Sequence, residues 1–281
     1  MLFAGALAAF LFLFFPGLLA RFLDRRKIIA KALKGKFSSL SETERDELQA
    51  ALSKTTFLIS DKRREEIFDA LARERSLHAV RLCGEVANKC TNEIATAILR
   101  RFDGMSEQHL IDELCAVWSE CRNANIVESI RKNHWLATQP PELAVLTRIK
   151  FGSPGAIVID SERMITAFLH AAGDSEAAIA HEALNVLMHL TSQQAVDFLC
   201  NHWIKSRDRI SDEIIHRAGY VASHPVYLQV FTALKANLLD AIEPSKADLL
   251  DVINALKAAC EDDDASIREN AKSAMARLGY S

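Results

Sequence analysis

TNEIATAILRRFDGMSEQHLIDELCAVWSECRNANIVESIRKNHWLATQPPELAVLTRIKFG, residues 91–152, is written out a second time, without a gap, 85 residues further on. Ile94 recurs as Ile179, Leu99 as Leu184, Asp112 as Asp197, Leu114 as Leu199, Cys115 as Cys200, Trp118 as Trp203 and Arg122 as Arg207. Ala137 recurs as Ala222, Pro140 as Pro225, Leu143 as Leu228, Val145 as Val230, Thr147 as Thr232 and Lys150 as Lys235. Apolar residues in each copy recur three and four apart, the spacing that puts them on one face of a helix. A duplication of helical segments at this long period is the signature of a stacked array, in which each unit buries its apolar face only against its neighbours. The pattern defines an architecture and names neither a partner nor a reaction.

Composition agrees with helices. Hydrophobic residues are 49 % and charged residues 25 % of 281, with only 10 Gly and 6 Pro, which excludes both a disordered chain and a turn-rich β protein. The net charge of −3 is unevenly spread: residues 1–36 carry Arg21, Arg25, Arg26, Lys27, Lys31, Lys34 and Lys36 against Asp24, a net of +6, which leaves −9 for residues 37–281. An acidic array disfavours a phosphate backbone, so no nucleic acid is expected as a partner. Six cysteines without a Cys-x-x-Cys pair read as reduced, mostly buried thiols, implying a reducing compartment.

Residues 1–20 contain no charged side chain. As one helix they would span roughly 30 Å, about the thickness of the bilayer hydrocarbon. Three readings are open: a membrane anchor, a cleaved secretory signal and a buried helix of a soluble protein. A cleaved signal wants its positive charge before the apolar run, and here it follows, from Arg21 onward. The positive-inside rule then sets a short N-terminus outside and the rest in the cytoplasm. On this reading the chain divides into a membrane anchor at 1–20, a basic juxtamembrane segment with a connecting helix at 21–55 and a helical repeat domain at 56–281. Arg21, Arg25, Arg26, Lys27 and Lys31 would face anionic headgroups, each contributing about 1 kcal/mol.

Further along, Ser41 and Glu44 form a capping box opening a helix to about Leu52. Segments 61–73 and 76–88 read as a first helix pair, the second with Leu77, Val80, Cys83 and Val86 inward. In the first copy a helix is expected from Thr91 to Phe102, stopped by Gly104, then another from Ser106 to Cys121. The counterpart of the latter opens at Thr191, with Gln194 as capping partner. Short helices follow at 125–131 and 211–217. Extended segments ending at Pro140 and Pro225 then lead into helices stopped by Gly152 and Asn237. After a three-residue difference in length the copies realign at an offset of 88.

The pattern Asp264-x-x-Ile267-Arg268-x-x-Ala271-x-x-Ala274-Met275-x-x-Leu278 resembles the second helix of a HEAT repeat, and Glu176, Ile179, Ala183, Val186 and Leu190 follow the same frame. Ala180 stands where the Arg would be, a departure from the acid–Arg ladder of that family. With Leu-Cys-x-x-Trp followed by Arg, and later Pro-x-x-Leu-x-Val, residues 90–281 are similar to bacterial HEAT/armadillo-type proteins. The resemblance implies an all-α fold, a right-handed α-solenoid preceded by the N-terminal hydrophobic helix, and a surface for protein–protein interaction.

Trp118–Arg122 and Trp203–Arg207 are i, i+4 pairs at equivalent places, candidates for a partner-binding concave surface through cation–π stacking. The other reading has both tryptophans filling the interior with the Arg stems packed over them, and their repetition favours it, since what every copy keeps serves the array. His181 and His189 lie two turns apart on one helix with no ligand at metal spacing between them, so no metal is expected. Glu261-Asp262-Asp263-Asp264 complements the positive end of the helix that follows. No Gly-rich phosphate loop or paired-carboxylate motif is present, so neither enzyme activity nor a cofactor is expected. The expected function is a membrane-tethered, cytoplasm-facing scaffold for a protein partner. Three alternatives stay open: a HEAT-like lyase attaching bilin chromophores, a HEAT-like nucleic-acid glycosylase, and a soluble adaptor.

Overall fold

The computed structural model describes residues 16–34, 36–53, 59–152, 157–238 and 249–280, with the side chains of 16–23 and 25 outside the described set. Among the described residues the fold is all-α, with no strand. The chain divides between Thr138 and Gln139 into two compact units.

The first unit holds α1 (Pro16–Leu33), α2 (Glu42–Ser53), α3 (Asp61–Glu74), α4 (Leu77–Lys89), α5 (Asn92–Arg100), α6 (Gln108–Cys121) and α7 (Ala124–Asn133). Alternate helices lie side by side: α2, α4 and α6 form one row, while α1 lies on α3 and α5 on α7. Between the rows sits the core, with Phe37, Leu48, Leu52, Ile67, Phe68, Leu71, Leu110 and Leu114 all buried. Each such side chain contributes about 1.5–3 kcal/mol of burial. The Ser41 capping box forms as expected: Ser41 Oγ accepts from Glu44 N at 3.2 Å and Glu44 Oε2 from Ser41 N at 2.9 Å. Ser60 and Ser76 cap α3 and α4. Leu77 departs from its expected inward place and is exposed, because it sits at the first position of α4, before the helix turns its apolar face to the core.

The second unit holds α8 (Pro141–Phe151), α9 (Glu162–Ala172), α10 (Ala177–Met188), α11 (Gln193–Ser206), α12 (Arg209–Ala218), α13 (Val226–Lys235), α14 (Leu249–Ala259) and α15 (Ala265–Arg277). Here α8, α10 and α12 form one row and α9, α11, α13 and α15 the other. The duplication is reproduced to the residue where α6 and α7 meet their counterparts α11 and α12, whose bounds are shifted by 85 at both ends. The Gln139–Pro140 and His224–Pro225 peptide bonds are both cis, and each proline is the N-cap of its helix. The expected cap at Thr191 is displaced: α11 opens after Ser192, with no side-chain capping bond.

The expected anchor falls largely on residues 1–15, outside the described residues. Among the described residues no helix is long and apolar enough to cross a membrane. The basic stretch from Arg21 to Lys31 is helical within α1, whose Ile28, Ile29 and Ala32 are buried; α1 packs on α2 and α3.

Candidate functional site

Trp118 and Trp203 close α6 and α11 from inside, 1 % and 0 % exposed. The arginine four residues on ends each helix in the left-handed region, Arg122 at φ 53° and Arg207 at φ 51°, and its amide bonds the tryptophan carbonyl at 2.7 Å in both copies. That reversal folds the guanidinium back over the indole, 4.9 Å from the ring centroid for Arg122 and 4.5 Å for Arg207. Such stacking contributes on the order of 0.5–2 kcal/mol. Trp203 Nε1 donates to Asp212 at 3.0 Å, and Arg207 reaches Asp262 at 2.8 Å. The indoles are interior groups covered by their arginines.

Other repeated contacts are equally internal. Gln108 Nε2 donates to Asp112 Oδ1 at 2.8 Å and to the Leu136 carbonyl at 2.9 Å; Gln193 does the same to Asp197 and Val221 at 3.0 Å each. The two aspartates then accept the Thr138 and Ser223 amides at 2.8 and 2.7 Å, pinning the extended segment before each cis proline. Burial raises the Asp197 carboxyl pKa, and the Ser223 and Gln193 hydrogen bonds more than offset it, leaving it below the usual range. Sequence reading registered the recurrence of Asp112 and Asp197 and missed this clamp. Its visible trace is Gln-x-x-x-Asp, an i, i+4 pair, in both copies. Lys150 pairs with Glu176 and Lys235 with Asp264, so one lysine per copy ties its helix to an acid further along the chain, and Lys235 also pairs with Asp212 before it.

Where a feature kept by both copies maintains the array, a feature in one copy alone is the place to look for function. The groove between α10 and α12 is such a feature. In the first copy the equivalent seam between α5 and α7 is closed by polar bonds: Lys132 to Asp103 at 2.6 Å, Asn133 to Asp103 at 3.0 Å, and the Gly104 amide to Asn133 at 3.4 Å. In the second copy Met188 stands for Asp103, Ala218 for Asn133, Ile214 for Ser129 and Ile210 for Asn125. The helix also runs on to Met188 where α5 gives way to a turn after Arg100. The result is an open groove of about 360 Å³, floored by Ala172, Leu184, Met188, Ile210 and Ile214 and rimmed by His181, Asn185, His189 and the Glu213–Arg217 ion pair. An apolar floor with a few polar groups at its edge fits the general form of a recognition site.

Nothing in the groove is arranged as a nucleophile and base. His189 Nδ1 lies 2.8 Å from the Asn185 carbonyl of its own helix. Burial pushes the Cys115 and Cys200 thiols up to about 12, so both are inert packing groups at neutral pH. Among the described residues no group of three or more His, Cys, Asp or Glu is placed to hold a metal ion. At the loop before α15, Asp264 caps the helix through the Ser266 amide at 2.8 Å, while Asp262 serves Arg207. Arg268 donates to the Asp262 and Asp263 carbonyls beside it.

Of the expected membrane-surface residues, the Arg21 and Arg25 side chains lie outside the described set. Arg26 and Lys27 are exposed, with Lys27 3.2 Å from Asp24, and Lys31 pairs with Glu44 at 2.7 Å. The row α2, α4, α6 has the opposite sign, with Glu42, Glu44, Asp46, Glu47, Glu85, Asp112, Glu113 and Glu120 against Arg45, Arg81 and Lys89.

The fold and its internal duplication define an all-helical packed array compatible with a helical repeat. No family model, no curated protein and no solved structure matches the chain.

Proposed function

We propose that the chain is a HEAT-type right-handed α-solenoid that works as a non-catalytic interaction scaffold, held at a membrane by residues 1–20 with the helical array in the cytoplasm. The observation that carries the scaffold reading is the α10–α12 groove, apolar where the matching seam of the first copy is bridged by Asp103, Lys132 and Asn133. An apolar groove between two helices of one row suits an apolar segment of a protein partner. Affinity capture from membranes tests it. A specific partner should be recovered with the native chain, lost with Leu184→Glu or Met188→Glu, and kept with Lys272→Glu on α15. Recovery of no protein, together with release of the chain by a high-salt wash, refutes both the scaffold and its tether.

A soluble adaptor is the second reading. The observation favouring it is that α1 buries Ile28, Ile29 and Ala32 as part of the folded unit.

A further inference from the structure

A second cavity borders α10, of about 740 Å³, between the non-helical residues 157–160 and the start of α11. Val158, Val186 and Leu190 supply its apolar wall, and Val158 is 75 % exposed, more than any other large hydrophobic side chain described. The titratable groups of its lining are Asp160, Glu182 and His189, and the lining holds no lysine or arginine. Neither carboxylate has an ion pair or hydrogen bond among the described residues. Arg163, three residues beyond Asp160, is exposed on α9 and stands outside the lining.

The same place in the first copy is closed by ion pairs. Ser76 and Ser161, 85 residues apart, both cap the helix that follows, so residues 157–160 stand where 72–75 stand in the first copy. There Arg75 pairs with Glu107, and Arg101 with Glu65 and Asp69. The second copy has Asp160 for Arg75, Ser192 for Glu107, Val186 for Arg101 and Glu182 for Ala97. Both cations are gone, and two carboxylates stand in the lining without partners. A long basic side chain answers both features, since its methylenes seek apolar contact while its charge seeks carboxylates. Ser192 opens α11 beside them without a side-chain capping bond, which leaves the first amides of the helix to the carbonyls of an incoming chain. A peptide supplies those carbonyls and a free amine does not.

We propose that this cavity binds a lysine or arginine side chain of a partner protein, carried in a segment whose neighbouring residues are apolar. The methylenes lie along Val186 and Leu190, the charge meets Asp160 and Glu182, and an apolar neighbour covers Val158. Charge complementarity selects the partner, and the α10–α12 groove takes no part.

The test uses the full chain and a fluorescein-labelled peptide with lysine between leucines, with the same peptide carrying glutamine for lysine as control, followed by anisotropy at low and physiological salt. The lysine peptide binds, less tightly as salt rises, and the glutamine peptide binds about tenfold more weakly. Asp160→Asn combined with Glu182→Gln weakens the lysine peptide roughly tenfold and leaves the glutamine peptide unchanged. Val186→Arg, which restores the first copy's residue, abolishes binding by setting a cation of the chain's own before the acids. Circular dichroism establishes that each variant folds, and Asp160→Asn alone, at an exposed position, replaces any that does not. Absence of binding at low salt, equal binding of the two peptides, or unchanged affinity in the carboxylate variant or in folded Val186→Arg overturns the proposal. Displacement of the peptide by an equal concentration of n-hexylamine would make this a small-molecule site and overturns it too. Leu184→Glu, which removes the partner of the α10–α12 groove, does not weaken this binding, so the two readings fail separately; loss of binding there would place the peptide in that groove and overturn this assignment.

Discussion

Lys235 ends α13 with 9 % of its side chain exposed, between Asp212 at 2.7 Å and Asp264 at 2.8 Å. Burial alone would lower its pKa, and the two carboxylates outweigh that and raise it. Lys235→Met leaves both acids facing a neutral thioether. The cost should fall between the ~0–1 kcal/mol of an exposed pair and the ~3–5 kcal/mol of a fully buried one, read as a lower urea midpoint. Acid sensitivity follows from Asp264. Burial pushes its carboxyl up, but the Lys235 and Ser266 hydrogen bonds overcome this and hold it well below the usual carboxylate range. A carboxyl depressed in the folded state stabilises fully above its unfolded pKa, about 3.9, and loses that stabilisation as pH falls below it. Native protein should therefore lose stability more steeply than Lys235→Met between pH 5 and about pH 2; parallel curves would refute the assignment. Sequence alone showed that Lys150 and Lys235 recur and hid what they hold. Glu176 and Asp264 lie 26 and 29 residues on, across the place where the offset changes from 85 to 88, and pairs that distant leave no local trace.

Among helices, α4 comes close to α6 at Gly84. A methyl added at Gly84 would meet Val117 Cγ1 at 2.9 Å, so α4 keeps a glycine in its interior. Alanine there gains about 1 kcal/mol of helix propensity and loses about 1–3 kcal/mol to overpacking. Gly84→Ala should be destabilising on balance in chemical denaturation, and Val117→Ala in the same chain should relieve part of the loss. Additive effects would show that the two residues do not share that contact. Helix existence and order were legible from apolar residues recurring three and four apart, even in α13, which is buried at every position from Val230 to Lys235. Ends were less so. Thr191 and Gln194 have the look of a capping pair, yet the neighbouring Gln193 is drawn instead to Asp197 and the Val221 carbonyl, and the helix begins at Gln193, with Ser192 as N-cap. Tertiary partners overrode the local signal. The groove was illegible for a related reason: Met188, Ile210 and Ile214 read as ordinary core residues until the first copy's polar seam is set beside them.

Across the whole chain, the proposed tether makes a direct prediction. After lysis the intact chain should sediment with membranes and resist a high-salt wash, while a chain lacking residues 1–20 should stay in the supernatant, its array still helical by circular dichroism. Release of the intact chain by salt alone would mean that basic residues such as Arg26 and Lys27 hold it at the surface and that no segment is inserted. The arginines that end α6 and α11 carry a last consequence. A backbone at φ 53° or 51° is one that glycine adopts freely and that other residues enter at about 1 kcal/mol or more. Three arginines take it, Arg75 after α3 among them, and at the two duplicated helix ends the long cationic side chain placed where the smallest residue would sit without strain covers an indole. Roofing the indole therefore matters more to each copy than the ease of the bend beneath it.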